Sequence, residues 1–113
     1  MSELTNSIFS EGRDSLEQLQ QQSANPILVK FVAPHCPACK TLAPILEQLV
    51  SARAGEIHMV TIDMAQEPEL AIELGVRSAP TVVLFKGEKV VEQISGLKPK
   101  KLYAEAVQKI LSV

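Results

Sequence analysis

The chain has 113 residues, of which 46% are hydrophobic and 21% are charged, and its formal net charge is −2. This length most simply makes one domain, residues 1–113, that is large enough to bury a core. The sequence has no block of like charge and no basic residues interleaved with aromatic ones, so we expect no nucleic-acid partner. It also lacks a signal-peptide pattern and any apolar stretch of membrane-spanning length. We therefore expect a cytoplasmic protein without a membrane partner.

The first half of the chain alternates helical patterns with an apolar run. Residues 14–23 predict a short amphipathic helix, and the segment before them predicts a short edge strand or a frayed arm. The nearly continuous apolar run 27–33 predicts a strand covered on both faces, with Lys30 as its one discordant residue. From Pro37 the apolar residues follow the helical period up to residues 53–55, and Pro44 is expected to kink this helix.

The second half of the chain completes an α/β pattern. Residues 57–63 predict a second strand, and a helix is expected from residues 67–68 to Gly75. Residues 81–85 and 90–94, joined by a turn, predict an antiparallel hairpin. After Pro99 we predict a last helix with one apolar face, formed by Leu102, Ala106, Val107, Ile110 and Leu111. The fold class is therefore α/β, with a central mixed sheet flanked by helices on both faces.

The two cysteines, Cys36 and Cys39, lie at the junction of the predicted strand 27–33 and the following helix. A Cys-x-x-Cys sequence there can close a disulfide across one helical turn and reopen it. A Cys36 thiolate at a helix N-terminus is stabilised by unpaired N–H groups, so Cys36 is the predicted nucleophile. Cys39 is then the resolving thiol, which attacks the mixed disulfide.

The alternative for the cysteine pair is half of a metal site. The chain has no third cysteine, and neither His35 nor His58 completes a usual ligand spacing. We therefore expect no metal and no cofactor.

Several segments around and after the cysteines resemble the thioredoxin family. They are residues 31–40 (FVAPHCPACK), 43–46 (APIL), 62–63 (ID), 75–81 (GVRSAPT), 84–86 (LFK) and Gly96. Within the family, residues 33–36 and 95–103 are similar to the thioredoxin module fused to NADPH-dependent thioredoxin reductase in plastids and cyanobacteria. The resemblance implies a thioredoxin fold and a thiol-disulfide oxidoreductase, an electron carrier that reduces protein disulfides. It also implies re-reduction by a flavin- or ferredoxin-dependent thioredoxin reductase, and we expect a monomer.

The resemblance further implies roles for residues around the dithiol. Pro80 is expected to be a cis-proline whose loop faces the cysteines and offers the backbone of Ala79 to a substrate; from the sequence alone, a trans proline is the alternative. His35 replaces the family's usual tryptophan, while Pro37 and Ala38 replace its Gly-Pro. These substitutions are expected to tune the redox couple and its substrate contacts.

Lys30 stands where the family usually has a buried aspartate. It could stabilise a Cys39 thiolate, act as a base if desolvation lowers its pKa, or extend its ammonium to water, which is the alternative we favour. His35 could stabilise the Cys36 thiolate when protonated, or lie at an exposed rim. His58 is expected to be structural. A small apolar patch for substrates is expected from Pro34, Ala38, Ala79 and Pro80.

Two other functions are compatible with the sequence. A proline after the first cysteine resembles glutaredoxins and periplasmic disulfide oxidases, which would give a more oxidising disulfide-exchange protein. A redox-inert binding module with a thioredoxin fold would explain the missing tryptophan and aspartate. The retained cysteines and the loop at residues 79–81 favour the reductase.

Overall fold

The computed structural model describes residues 9–112. In this part of the chain, strands and helices follow one another in an α/β order. They are β1 (Phe9–Glu11), α1 (Arg13–Gln22), β2 (Ile27–Val32), α2 (Pro37–Ser51), β3 (His58–Asp63), α3 (Pro68–Glu73), β4 (Thr81–Lys86), β5 (Lys89–Ser95) and α4 (Lys100–Leu111). No helix among these residues is long and apolar enough to cross a membrane.

The strands form one mixed sheet in the order β1-β3-β2-β4-β5. Strands β1 and β2 run parallel to β3, whereas β4 is antiparallel to both β2 and β5. Thr81, the first residue of β4, pairs with Phe31 near the end of β2 and with Ser95 at the end of β5. The segments that follow β2 and β5 and the segment that precedes β4 therefore meet at one end of the sheet.

Helices cover both faces of the sheet, as predicted. Strand β2 shows why its apolar run is nearly unbroken: Leu28 packs in the core under α2 and α4, while Val29 and Phe31 pack in the core under α1 and α3. A strand buried on both faces has apolar side chains at successive positions rather than at alternate ones. The fold class predicted from the sequence is therefore confirmed.

The predicted elements are all present, with bounds that differ by no more than four residues. The edge strand, one of two alternatives for the segment before the first helix, is found at Phe9–Glu11; the rest of that segment lies outside the described residues. Helix α2 continues through Pro44. Ile57 precedes β3 rather than opening it, yet its side chain is fully buried.

The apolar face predicted for α4 is wrong at one position. Leu102 is 41% exposed, whereas its neighbour Tyr103 is 1% exposed and lies in the core. Tyr103 shares the helical period with Ala106, Val107 and Ile110, and Leu102 projects to the side of this stripe. The aromatic ring supplies the large apolar surface that the prediction assigned to the leucine.

Helix α1 is capped by a side chain that comes from far along the chain. Gly12 at its N-cap has a φ of 90° and no side chain to accept a hydrogen bond. The Glu67 carboxylate accepts the Arg13 N–H instead, at 2.9 and 3.1 Å to its two oxygens. The Arg13 guanidinium contacts Glu17 at 3.0 Å and Glu73 at 2.9 Å. Together these contacts tie α1 to the segment around α3.

Candidate active site at the Cys36–Cys39 disulfide

Cys36 and Cys39 form a disulfide whose Cα atoms lie 5.3 Å apart. Cys36 is the N-cap of α2, and its sulfur accepts a hydrogen bond from the Cys39 N–H at 3.2 Å. Pro37 occupies the first turn, where a missing N–H costs the helix nothing. After reduction, a thiolate on Cys36 would lie at the positive end of the helix dipole and keep this N–H donor.

The two sulfur-bearing residues differ in exposure. Cys36 is half-buried, whereas Cys39 is 6% exposed and lies one turn inside α2. An incoming disulfide therefore has access to Cys36 first, while Cys39 is shielded until a mixed disulfide forms next to it. This asymmetry supports the predicted roles of nucleophile and resolving thiol.

His35, directly before the disulfide, has a left-handed backbone with a φ of 56°. Non-glycine residues adopt this region rarely, and histidine is among those that do so more often. The side chain is exposed. The structure thus places His35 at the rim of the site, and its effect on the Cys36 thiolate stays a prediction.

The Ala79–Pro80 peptide bond is cis, as the resemblance implied. The Thr81 hydroxyl, on a residue that is 1% exposed, donates to the Ser78 carbonyl at 2.7 Å. The Pro80 carbonyl accepts from the Gly96 N–H at 2.8 Å. Because β4 begins beside the end of β2, this loop lies at the same end of the sheet as the disulfide.

The predicted apolar patch differs in one member. Pro34 is exposed and both Ala38 and Ala79 are half-buried, but Pro80 is buried. Pro80 therefore offers little accessible surface to a substrate, and substrate contact by the four residues stays a prediction.

Lys30 is 6% exposed and lies on the face of β2 that α2 covers, two residues after Leu28. Burial lowers the pKa of Lys30, and the negative charges of Glu47 and Glu11 partly oppose this effect. The three side chains line one groove of about 310 Å³, together with Phe9, Ser10, Met59 and Thr61. This arrangement favours a buried stem with the ammonium directed toward the groove. An effect of Lys30 on Cys39 stays a prediction.

His58 lies at the start of β3, at the end of the sheet away from the cysteines. Its Nε2 is 3.3 Å from the Ser23 hydroxyl, and its buried Nδ1 has no partner in the described part of the chain. Burial lowers the pKa of His58. These contacts fit the structural role that the sequence predicts.

Sequence reasoning missed the polar role of Tyr103. Its hydroxyl donates to the Gly96 carbonyl at 2.9 Å and accepts from the Lys98 N–H at 3.0 Å. A tyrosine on the apolar side of a helix needs a hydrogen-bond partner once it is buried, and this requirement was the available signal. Among residues 9–112, no group of three or more His, Cys, Asp or Glu side chains could hold a metal ion.

The cysteine pair caps a helix at the same end of a mixed sheet as a cis-proline loop, which is the arrangement expected of a thiol-disulfide oxidoreductase. The thioredoxin family model matches residues 8–109. The chain belongs to the thioredoxin family, and its cysteine pair supports protein-disulfide reductase activity.

Relatives and a solved structure agree with this assignment. The chain is 36% identical over 98 residues to NADPH-dependent thioredoxin reductase 3 of Arabidopsis thaliana, covering 87% of this chain but only 18% of that protein. It is 33% identical over 99 residues to the chloroplastic M-type thioredoxin of Chlamydomonas reinhardtii, covering 88% of this chain and 71% of that protein. A mutant thioredoxin from Halobacterium salinarum superposes with a TM-score of 0.80 at 27% identity, covering 93% of this chain and 90% of that one.

Proposed function

We propose that the protein is a general reductant of protein disulfides, with Cys36 as the attacking thiolate and Cys39 as the resolving thiol. The single observation that carries this assignment is the position of the Cys36 sulfur, which caps α2 and is more accessible than Cys39. This position stabilises the thiolate and presents it to a substrate.

The exchange takes place in two steps. The Cys36 thiolate attacks one sulfur of the substrate disulfide, a new S–S bond forms, and the second substrate sulfur leaves as a thiolate that takes up a proton. Cys39 then loses its proton, and its thiolate attacks the Cys36 sulfur, which releases the first substrate sulfur. Two electrons pass from the Cys36–Cys39 dithiol to the substrate, and the protein is left with its disulfide.

The electron donor that we propose is a thioredoxin reductase, either flavin-dependent with NADPH or ferredoxin-dependent. Similarity to part of a plant protein named NADPH-dependent thioredoxin reductase supports the first class. The two classes can be compared by following reduction of the Cys36–Cys39 disulfide with each reductase and its own electron source. As the location of this electron carrier we propose the cytoplasm, whose reducing conditions keep such a couple active.

The test of the proposed roles uses the two matched serine variants. Cys36→Ser is expected to abolish reduction of insulin disulfides, because the remaining thiol, Cys39, is too buried to attack a protein disulfide. Cys39→Ser is expected to accumulate a mixed disulfide between Cys36 and the substrate, which mass spectrometry detects. Turnover that persists in Cys36→Ser would refute the assignment.

A second candidate is a glutaredoxin-like exchange protein, which the position of Pro37 directly after Cys36 favours. In that case glutathione would reduce the Cys36–Cys39 disulfide with saturable kinetics. A redox-inert binding module would instead capture partners equally well when both cysteines are serine.

We also propose that side chains around the disulfide set its substrate contacts and its redox potential. Exposed His35 and half-buried Ala38 and Ala79 form the accessible surface, while Pro37 fixes the first turn of α2. Lys30, which lines a groove with Glu47 and Glu11, is included in this proposal as a residue that could change the redox potential. Each of these side chains can be replaced in turn and the midpoint potential measured. A replacement that changes the potential identifies a tuning residue, and one that changes only the rate with protein substrates identifies a contact residue.

A further inference from the structure

Tyr103 is the chain's one tyrosine, and its ring is buried in the core that α2 and α4 share. Its hydroxyl reaches out of this core to the turn between β5 and α4. There it donates to the Gly96 carbonyl at 2.9 Å and accepts from the Lys98 N–H at 3.0 Å. A phenylalanine would fill the same apolar space, so the hydroxyl serves the turn rather than the core.

The turn that Tyr103 holds is itself bonded to the cis-proline loop. Gly96 donates its N–H to the Pro80 carbonyl at 2.8 Å, while its own carbonyl accepts from Tyr103. Its φ of 82° lies in the left-handed region that favours glycine. Leu97, the next residue, is 43% exposed. Hydrogen bonds therefore link the buried Tyr103 hydroxyl through Gly96 to the cis-proline loop, and Gly96 directly precedes an apolar side chain at the surface.

We propose that Tyr103 is a positioning residue for protein substrates. It fixes Gly96, and through Gly96 it fixes the Pro80 loop and the exposed Leu97, so that a substrate segment meets a preformed surface at the end of the sheet that carries Cys36. A small disulfide that contacts only the sulfur does not need this surface. The inference rests on the proposed reduction of protein disulfides by Cys36.

The test compares Tyr103→Phe with Ile110→Val, a variant that trims another buried residue of the same helix without removing a hydrogen bond. Substrates are insulin and a small aromatic disulfide, dithiobis(nitrobenzoate). In Tyr103→Phe we expect kcat/KM for insulin to fall roughly threefold to tenfold, as the loss of one or two hydrogen bonds implies. We expect the rate with the small disulfide and the midpoint potential to stay at the wild-type values, and Ile110→Val to match wild type with both substrates.

Two results would overturn the proposal. The first is a kcat/KM for insulin that is the same in Tyr103→Phe and in Ile110→Val. The second is an equal fall in activity with insulin and with the small disulfide in Tyr103→Phe, which a merely structural role predicts. If the wild-type protein reduces neither substrate, the proposed function fails together with this inference. If it reduces both and the two variants behave alike, only the role of Tyr103 fails.

If Tyr103→Phe does not fold, a second measurement can be made on a protein that keeps Tyr103. Because the chain has one tyrosine, growth with 3-fluorotyrosine labels position 103 alone. In the Cys39→Ser background, we expect the fluorine resonance to shift when Cys36 holds a protein substrate and to stay unchanged when it holds thionitrobenzoate. An unshifted resonance with the protein substrate would contradict the proposal.

Discussion

Lys30 is the residue at which this chain departs most from an apolar strand. Its neighbours along β2 are fully buried apolar side chains, and it is itself 6% exposed. Burial of an ammonium is unfavourable unless opposite charges offset the loss of water, and Glu47 and Glu11 supply these charges from the groove. Because the pKa of Lys30 is nevertheless lowered, the buried ammonium reduces the free energy of unfolding at neutral pH.

Replacement of Lys30 by methionine is therefore expected to stabilise the protein. Methionine keeps an apolar stem and removes the charge, so the free energy of unfolding at pH 7 should increase by about 1 kcal/mol. The pKa of Lys30 in the folded protein lies below the ordinary 10.5, so at alkaline pH the unfolded chain binds more protons at this residue than the folded protein does. The free energy of unfolding of the wild type therefore rises as the pH increases toward 10.5. The advantage of Lys30→Met should accordingly shrink at alkaline pH. Urea unfolding at several pH values measures it.

The matched control is Lys109→Met, on an exposed residue of α4. Its effect on the free energy of unfolding should stay within about 0.5 kcal/mol, as is usual for surface changes. A loss of stability in Lys30→Met at pH 7 would show that the ammonium makes a net favourable contribution.

His58 should make folding stability depend on pH in the mildly acidic range. Burial lowers its folded pKa below the ordinary 6.5, so the unfolded chain binds the proton first as the pH falls. The contribution of neutral His58 to the free energy of unfolding is fully present above pH 6.5 and is lost progressively below it. We expect the melting temperature of wild type to fall between pH 7.5 and pH 5 more steeply than that of His58→Gln.

The control for His58 is His35→Asn, because the exposed His35 has a left-handed backbone that asparagine tolerates. The melting temperature of this variant at each pH is the reference for the loss of an exposed histidine. Equal slopes for wild type and His58→Gln would assign the acid sensitivity to other groups.

At the scale of elements, the start of α1 depends on a contact across 54 positions of the chain. Gly12 offers no capping side chain, so the Glu67 carboxylate takes over that function for the Arg13 N–H. Carboxylates near helix N-termini also interact favourably with the helix dipole. The same contact fixes the segment that leads into α3.

Glu67→Gln is expected to lower the free energy of unfolding by about 1 kcal/mol, the usual scale of an N-cap. The amide can still accept one hydrogen bond, but it loses the charge and the second oxygen acceptor. Chemical denaturation measures the change, with Glu105→Gln, at an exposed position of α4, as the matched control. Similar losses in both variants would rule out a specific cap.

The elements themselves could be predicted because their signals are local. Pro37 after Cys36, the apolar run of β2 and the helical period of α2 each lie within one short segment. The cap from Glu67 and the hydrogen bonds of Tyr103 join residues whose proximity depends on tertiary packing. No pattern within one short segment predicts such contacts. The Leu102 prediction failed although its signal was local, because the period of Ala106, Val107 and Ile110 favours position 103 over position 102.

At the scale of the molecule, the sheet brings the functional segments together. The end of β2 leads to Cys36, and the start of β4 and the end of β5 place Pro80 and Gly96 at the same end. The cysteine motif together with the loop at residues 79–81 predicted the chemistry, and the family resemblance supplied the cis isomer of Pro80. The order of the strands depends on long-range pairing, including a three-residue edge strand, which local pattern does not specify.

In the function we propose, Cys36 and Cys39 form a reversible couple that donates electrons to protein disulfides. The most direct test is its midpoint potential, obtained by equilibrating the protein in graded dithiothreitol buffers and counting alkylated thiols. We expect a reversible two-electron transition near about −270 mV, the value typical of thioredoxins in general. A midpoint of about −200 mV or higher would contradict a general reductant, and the absence of any reversible transition would contradict the redox couple itself.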